Sequence, residues 1–137
     1  MADVDQAAIA EFRASGGRVG GDLSGTPVLL LHHVGARSGT AYVTPLAYAD
    51  LGGGRLAIAA SNGGSARHPA WYHNLRAHPA ITVEVGTRTF PAVAEEQLAS
   101  ARAALWSVLA ARFPTLATFA AGTERTIPLF VLSPLDD

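Results

Sequence analysis

The chain has 137 residues, of which 49% are hydrophobic and only 15% are charged, and it contains no cysteine. This composition excludes intrinsic disorder, disulfide scaffolds and thiolate metal sites. Ten cations, all of them arginine, face eleven anions for a net charge of −1, so the basic surplus of a nucleic-acid-binding protein is missing.

Apolar spacing and turn residues divide the chain into short elements. The predicted elements are an N-terminal helix ending at 15–17, strands over 28–34, 42–48 and 56–60, a helix over 69–77, a hairpin of strands 81–85 and 88–94, a helix over 98–113 and a last strand over 127–132.

Three details of these strands are predicted. The glycine-rich turn over 50–54 pairs strand 42–48 with strand 56–60 in a hairpin. Pro45 indicates an edge strand or a bulge, because proline cannot donate to a sheet. In the later hairpin, strict alternation places Ile81, Val83 and Val85 inward.

Six short, hairpin-linked strands with few helices and no βαβ alternation predict an α+β fold that is mainly β. The expected form is an antiparallel sheet closed into a small barrel with N-terminal, middle and C-terminal helices at its rim. No linker divides the chain, so residues 1–137 are predicted to form one domain, with the N-terminal helix and a glycine-rich lead-in over 1–25.

The chain has no segment of about 20 apolar residues and no signal peptide, which predicts a cytoplasmic protein without stable membrane insertion. It also lacks the GxSxG, GxGxxG, GxxxxGK[ST] and HExxH motifs. The neighbouring His32 and His33 point to opposite faces of a strand, and no histidine cluster with metal-ligand spacing is present. No metal site is therefore predicted.

Two donor-rich loops remain. In the loop over 35–40, backbone N–H groups, the Ser38 and Thr40 hydroxyls and the Arg37 guanidinium can surround a phosphate or carboxylate, although an ordinary hairpin loop has the same composition. The loop over 61–67 is similar and precedes a helix N-terminus. On that helix, Trp71 and Tyr72 suit either the core or the wall of a flat-ring site.

Several segments together resemble one family, the deazaflavin-dependent nitroreductases. They are GARSG at 35–39, TPL at 44–46, ASNGG at 60–64 and above all HPAWYHNL at 68–75 followed by Pro79. The N-terminal IAEFR at 9–13 and the RTIP at 125–128 extend the similarity over nearly the whole chain.

The resemblance implies a split β-barrel that binds the 8-hydroxy-5-deazaflavin coenzyme F-420 and uses its reduced form to reduce quinones, nitroaromatics or activated enones. In the family, the loop cation meets the cofactor's phosphate and glutamate tail, a role that falls to Arg37. The implied cofactor-binding residues are Arg37, Ser38, Gly39, Pro45, Ala60, Ser61, Asn62, Gly63, Gly64, Arg67, Trp71 and Asn74.

The chain departs from the family in both loops and on the acceptor side. Ala36 and Asn62 stand where many members carry a cation. Family tyrosines on the acceptor side correspond to Phe113, Leu116 and Phe119 here, which predicts a drier acceptor site that favours quinones over nitroimidazoles.

The leading hypothesis is an oxidoreductase that transfers a hydride from reduced F-420 to a small hydrophobic acceptor. No catalytic residue of the protein is predicted, because the cofactor carries the hydride chemistry. The alternatives are a non-catalytic F-420 carrier and an FMN-binding split-barrel reductase. No nucleic-acid partner is expected, and the oligomeric state stays open, with a homodimer among the alternatives.

Overall fold

The computed structural model describes residues 2–18, 27–61 and 66–135, with side chains from residue 6 onward. The described elements are α1 (Ala2–Ser15), β1 (Val28–Val34), β2 (Ala41–Ala47), β3 (Ala49–Gly52), β4 (Arg55–Ala59), α2 (Ala70–Ala77), β5 (Ala80–Val85), β6 (Arg88–Gln97), α3 (Ala99–Arg112), α4 (Pro114–Ala121) and β7 (Leu129–Pro134).

All the described strands form one antiparallel sheet in the order β2-β1-β5-β6-β7-β4-β3. The two edge strands, β2 and β3, are joined through the single residue Tyr48. Because one residue cannot span a flat sheet of this width, the sheet must curl to bring the end of β2 near the start of β3. The mainly β, α+β class is confirmed, in the form of a curled half-barrel.

The predicted count of six strands is wrong, because β3 is a seventh strand. Ala49 and Asp50 pair with Ala57 and Leu56, which leaves only Gly53 and Gly54 as the turn. The predicted hairpin partner is wrong for the same reason: β2 pairs along its whole length with β1, and β3 takes its place beside β4.

The predictions for Pro45 and for the later hairpin are confirmed. Pro45 belongs to β2, an edge strand, and pairs with Leu30 of β1. At the edge of the sheet, its missing N–H costs no hydrogen bond to a further strand. Ile81 and Val83 are buried, and Val85 is half-buried and packs against the same cluster. β6 is longer than expected and runs to Gln97, because its second half pairs with β7.

Side-chain alternation gives the sheet two apolar faces. Leu29 and Leu31 of β1 pack on one face with residues of β4, β5 and β7 and with Trp71 and Leu75 of α2. The intervening Leu30 packs on the other face against α1, and α3 and α4 cover a separate part of the sheet built from β3, β4 and β7. Strand β1 is therefore buried on both faces.

Prolines mark the helix boundaries. Pro69 is the N-cap of α2 and not its first residue, and Pro114 both ends the predicted helix and begins α4. No single helix among the described residues has the length and apolar composition to cross a bilayer, and α3 and α4, which meet both criteria only as a pair, are bent by 117°.

Candidate functional site

A cleft of about 1380 Å³ lies between α1, the β1–β2 hairpin and α2. This volume exceeds the range of about 300–1,000 Å³ typical of small-molecule pockets, so an elongated ligand can be accommodated. Its described lining comprises Gln6, Ile9, Arg13, His33, Gly35, Ala36, Arg37, Ser38, Ala41, Tyr42, Val43, Thr44, Leu46, Ala59, Ser61, Pro69, Ala70, Trp71, His73 and Asn74.

The turn between β1 and β2 is held by its own hydrogen bonds. The Gly35 N–H donates to the Thr40 carbonyl at 2.8 Å, and the Gly39 N–H donates to the Gly35 carbonyl at 3.0 Å. The Thr40 N–H donates to the Ser38 hydroxyl oxygen at 3.1 Å. Gly39 has a φ of 71°, which favours glycine at this position.

A buried polar network joins this turn to α2. The Ala36 N–H donates to Asn74 Oδ1 at 2.9 Å, and Asn74 Nδ2 lies 2.9 Å from His33 Nδ1. His33 Nε2 lies 2.8 Å from the Thr44 hydroxyl oxygen. Burial, together with the charge of the neighbouring His32, lowers the pKa of His33 from 6.5 to about 4. The ring is therefore neutral at physiological pH.

Strand alternation explains the members of this network. His33 shares its face of β1 with Leu29 and Leu31, and Thr44 lies opposite Leu31 on β2. That face is the one on which α2 packs, so Asn74 of α2 reaches His33 on β1 directly and Thr44 on β2 only through the His33 ring. The prediction that His32 and His33 face opposite ways is confirmed by their different partners.

His32 belongs to an ion-pair group on the other face. Its Nε2 lies 2.6 Å from Glu84 Oε2, and Arg13 Nη2 lies 2.7 Å from the same oxygen. The hydrogen bond from Arg13 is the largest cause that holds the pKa of Glu84 below its ordinary value. The Glu84 carboxylate therefore pairs with Arg13, the arginine of α1 that lines the cleft.

Arg37 is the cation of the cleft that has no carboxylate partner among the described residues. Its side chain is exposed, and the described lining of the cleft contains no aspartate or glutamate. Within the turn over 35–40, the N–H groups of Arg37 and Ser38 are those without a protein acceptor in the described chain. Of the backbone N–H groups that were predicted to surround an anion, these two are therefore the ones available to a ligand.

Trp71 closes the cleft from the core side. It is 5% exposed, and its ring packs against Phe130 with the centroids 5.9 Å apart. Tyr72 also contacts Phe130, at 5.9 Å, and its hydroxyl accepts a hydrogen bond from Arg76 at 3.2 Å. Both residues therefore pack in the core, and Trp71 also lines the cleft.

Arg125 holds the chain on either side of residues 62–65. Its Nη2 donates to the Ser61 carbonyl at 2.8 Å, and its Nη1 donates to His68 Nδ1 at 3.1 Å. Burial is the largest cause that lowers the pKa of His68, and the Arg125 charge adds to it. Ser61 and α2 are thus positioned by a residue far along the sequence.

The structure brings five of the predicted cofactor-binding residues to the cleft: Arg37, Ser38, Ser61, Trp71 and Asn74. Four others are described but lie outside its lining: Gly39, Pro45, the fully buried Ala60 and the exposed Arg67. The remaining three, Asn62, Gly63 and Gly64, lie outside the described residues.

The predicted acceptor-side residues lie on α4 and at its junction with α3. Leu116 is 6% exposed and belongs to the apolar cluster against β3, β4 and β7, and Phe113 and Phe119 pack on it. None of the three lines the described cleft, but Ala59 both lines the cleft and packs against their cluster. The two regions meet at that residue.

His33 and Thr44 are not among the predicted site residues. The signal that identifies them is the hairpin register: a turn over 35–40 pairs Val34 with Ala41 and makes His33 and Thr44 diagonal neighbours on one face. No local signal identifies Arg13, whose position depends on how α1 packs.

Comparison with known proteins places this architecture in a family. The family model described as F420H(2)-dependent quinone reductase matches residues 6–134. A protein of Mycobacterium tuberculosis strain H37Rv named F420H(2)-dependent quinone reductase is 37% identical over 126 residues, covering 89% of this chain and 84% of that protein.

Two solved structures share the fold. One, described as an F420-H2 dependent reductase, is 32% identical with a TM-score of 0.71 and covers 78% of this chain and 94% of its own. A second, described as a domain-swapped dimer, is 28% identical with a TM-score of 0.73 over 91% and 92% of the two chains. The match to the family model over most of the chain shows that this protein belongs to the F420H(2)-dependent quinone reductase family.

Proposed function

We propose that the cleft binds coenzyme F-420 and that the protein transfers a hydride from its reduced form to a quinone. The observation that supports the cleft as the cofactor site is its charge: Arg37 stands at the mouth with no carboxylate partner in the described part of the chain, and the described lining carries no acidic side chain. Such a surface favours an anionic ligand.

The donor groups of the cleft fit this cofactor. A phosphate and glutamate tail is rich in oxygen acceptors, and the Arg37 guanidinium, the N–H groups of Arg37 and Ser38 and the Ser38 hydroxyl are donors. The Ser38 oxygen already accepts from Thr40, so its proton is available to a ligand. The buried ring of Trp71 supplies an apolar wall suited to a flat heterocycle.

When bound, reduced F-420 supplies the hydride, and the chain's residues orient and enclose it. Neutral His33 is held between Asn74 and Thr44, so it has no proton to give up to an acceptor without losing a buried hydrogen bond. This agrees with the hypothesis that no side chain acts as the catalytic acid. The protein's contribution is then position and exclusion of water.

The acceptor is proposed to enter where the cleft meets the cluster of Phe113, Leu116 and Phe119, at Ala59. An apolar entrance favours a quinone, which needs chiefly enclosure beside the deazaflavin ring. Nitroaromatics gain more from a positioned hydroxyl donor, because negative charge develops on the nitro group. We therefore place quinones ahead of nitro compounds as substrates.

The test is a parallel titration of the purified protein with F-420 and with FMN, followed by mixing of the reduced-cofactor complex with a short-chain quinone under anaerobic conditions. We expect tighter binding of F-420 and a quinone-dependent return of the oxidised deazaflavin absorbance. Tighter binding of FMN would contradict the cofactor assignment. Tight F-420 binding without quinone-dependent oxidation would identify a carrier and not an enzyme.

A further inference from the structure

The hydroxyl of Thr44 lies where the buried polar network meets the cleft. Thr44 lies half-buried on β2 in the lining of the cleft, and its oxygen is 2.8 Å from His33 Nε2. A hydroxyl beside a histidine can be donor or acceptor, depending on which ring nitrogen carries the proton. The surrounding bonds decide between these two arrangements.

The donors and acceptors can be assigned starting from a backbone N–H, which can only donate. Because Ala36 N–H lies 2.9 Å from the Asn74 side chain, the atom facing it is the amide oxygen. The amide nitrogen then faces His33 Nδ1 at 2.9 Å and donates to it. A neutral ring that accepts at Nδ1 carries its proton at Nε2, so His33 donates to the Thr44 oxygen.

The Thr44 proton therefore needs another acceptor. The Thr44 oxygen uses a lone pair to accept from His33, and no acceptor for its own O–H lies among the described protein groups. The neighbouring turn carries other donors that have no acceptor within residues 2–18, 27–61 and 66–135, namely the Arg37 guanidinium and the Ser38 hydroxyl. All three belong to the lining of the same cleft.

We propose that the chain Asn74, His33, Thr44 aims the Thr44 hydroxyl at the cleft as a hydrogen-bond donor to an oxygen atom of bound F-420. This rests on the proposed function. Thr44 is then a cofactor-binding residue, and His33 is a positioning residue that acts through it. A donor whose direction is set before binding loses less orientational freedom when the ligand arrives.

The premise is tested first on the unmodified protein by long-range ¹H–¹⁵N NMR of the histidine rings. We expect His33 to show the Nε2–H tautomer both without and with F-420. A proton on Nδ1 would overturn the inference, because Thr44 would then donate to the ring and not to the cleft. This measurement needs no variant to fold.

The binding test compares Thr44→Val, Thr44→Ser and the matched control Thr89→Val, which removes an exposed hydroxyl from β6 away from the cleft. Each is titrated with oxidised F-420, and folding is checked by thermal unfolding. We expect Thr44→Val to raise the Kd by about three- to tenfold, the effect of one hydrogen bond. Thr44→Ser and Thr89→Val should stay within about twofold of the parent.

The outcomes separate this inference from the proposed function. If the parent protein does not bind F-420, the proposed function fails. If the parent binds and a folded Thr44→Val binds equally well, the proposed function stands and the role of Thr44 is wrong. A raised quinone KM with an unchanged F-420 Kd would also overturn the proposal, because it would place the donor at the acceptor.

Discussion

Asn74 Nδ2 donates to His33 Nδ1 at 2.9 Å, and through the other end of its amide Asn74 accepts from the Ala36 N–H at the same distance. One buried side chain thus fixes three parts of the protein relative to one another: α2, β1 and the turn that carries Arg37.

Replacing Asn74 by leucine should destabilise the fold by about 2–4 kcal/mol, because it leaves the part-buried N–H of Ala36 and the buried ring nitrogen of His33 without partners. Leucine is the better helix former, so lower helix propensity cannot account for the loss. Urea unfolding measures the change. Asn74→Asp keeps the oxygen that accepts from Ala36 and should raise the pKa of His33, because a negative charge would replace a donor beside its ring.

Stability should fall on acidification between pH 6.5 and about 4, the interval between the ordinary pKa of histidine and that of His33. In this interval the unfolded chain binds a proton at His33 and the folded protein does not, so lowering the pH favours unfolding. The loss is up to about 3 kcal/mol, at about 1.4 kcal/mol for each pKa unit.

The contribution of His33 is separated from that of His68, whose pKa is also lowered, by comparing variants. His33→Gln should flatten the pH dependence of the unfolding free energy, and His78→Gln, at an exposed position, should leave it unchanged. If the unfolding free energy of His33→Gln falls on acidification as steeply as that of the parent, other groups cause the loss.

The fold was predictable where local chemistry and tertiary pairing agree. The β5–β6 hairpin alternates cleanly, and Pro45 narrowed its strand to an edge position or a bulge, of which the structure has the edge position. β3 could not be predicted, because Asp50, Gly52 and their neighbours are turn formers and form a strand only through pairing with β4. The extension of β6 to Gln97 likewise depends on β7.

The candidate site shows the same division. The turn over 35–40 and α2 carry motifs that identify Arg37, Ser38 and Asn74 from sequence. His33 enters only through hairpin register, and Arg13 only through the packing of α1 on the sheet. Residues brought together by tertiary contact leave no local pattern from which they could be predicted.

Glu84→Gln should weaken the attachment of α1 to the sheet, because Glu84 pairs with Arg13 and His32. We expect a loss of about 1 kcal/mol or less at low salt that shrinks as salt is added, since Arg13 is 52% exposed. Because the pKa of Glu84 is lowered, its stabilising contribution is present above the ordinary pKa of 4.5 and is lost as the pH falls below it.

This loss of stability below pH 4.5 should be absent from Glu84→Gln. Urea unfolding at several pH values and salt concentrations tests this, with Glu95→Gln, an exposed carboxylate on β6, as the control. Equal acid sensitivity in both variants would show that the Arg13–Glu84 pair does not contribute to stability.

Leu116→Ala and Phe119→Tyr distinguish packing from substrate contact at the acceptor side. Leu116 of α4 is buried in the apolar cluster against β3, β4 and β7, so its truncation should lower the free energy of unfolding by about 2–5 kcal/mol. Phe119 is half-buried, and its conversion to tyrosine should cost little stability. If the acceptor reaches this cluster, Phe119→Tyr should raise the relative rate for nitroaromatic acceptors, and unchanged relative rates would limit the cluster to packing.

Arg37→Ala should weaken F-420 binding by about 1–3 kcal/mol, the range for a charge-assisted hydrogen bond, which corresponds to about five- to 150-fold in Kd. The loss should be greatest at low salt, and the Kd of the variant should depend less on salt than that of the parent, because a charge has been removed from an exposed position. Stability should hardly change, since Arg37 makes no hydrogen bond or ion pair within the described chain. Arg55→Ala, which removes an exposed arginine from the start of β4 outside the cleft lining, changes the net charge equally and serves as the control. Equal weakening by both variants would assign the effect to net charge, whereas weakening by Arg37→Ala alone requires a cation at the mouth of this cleft.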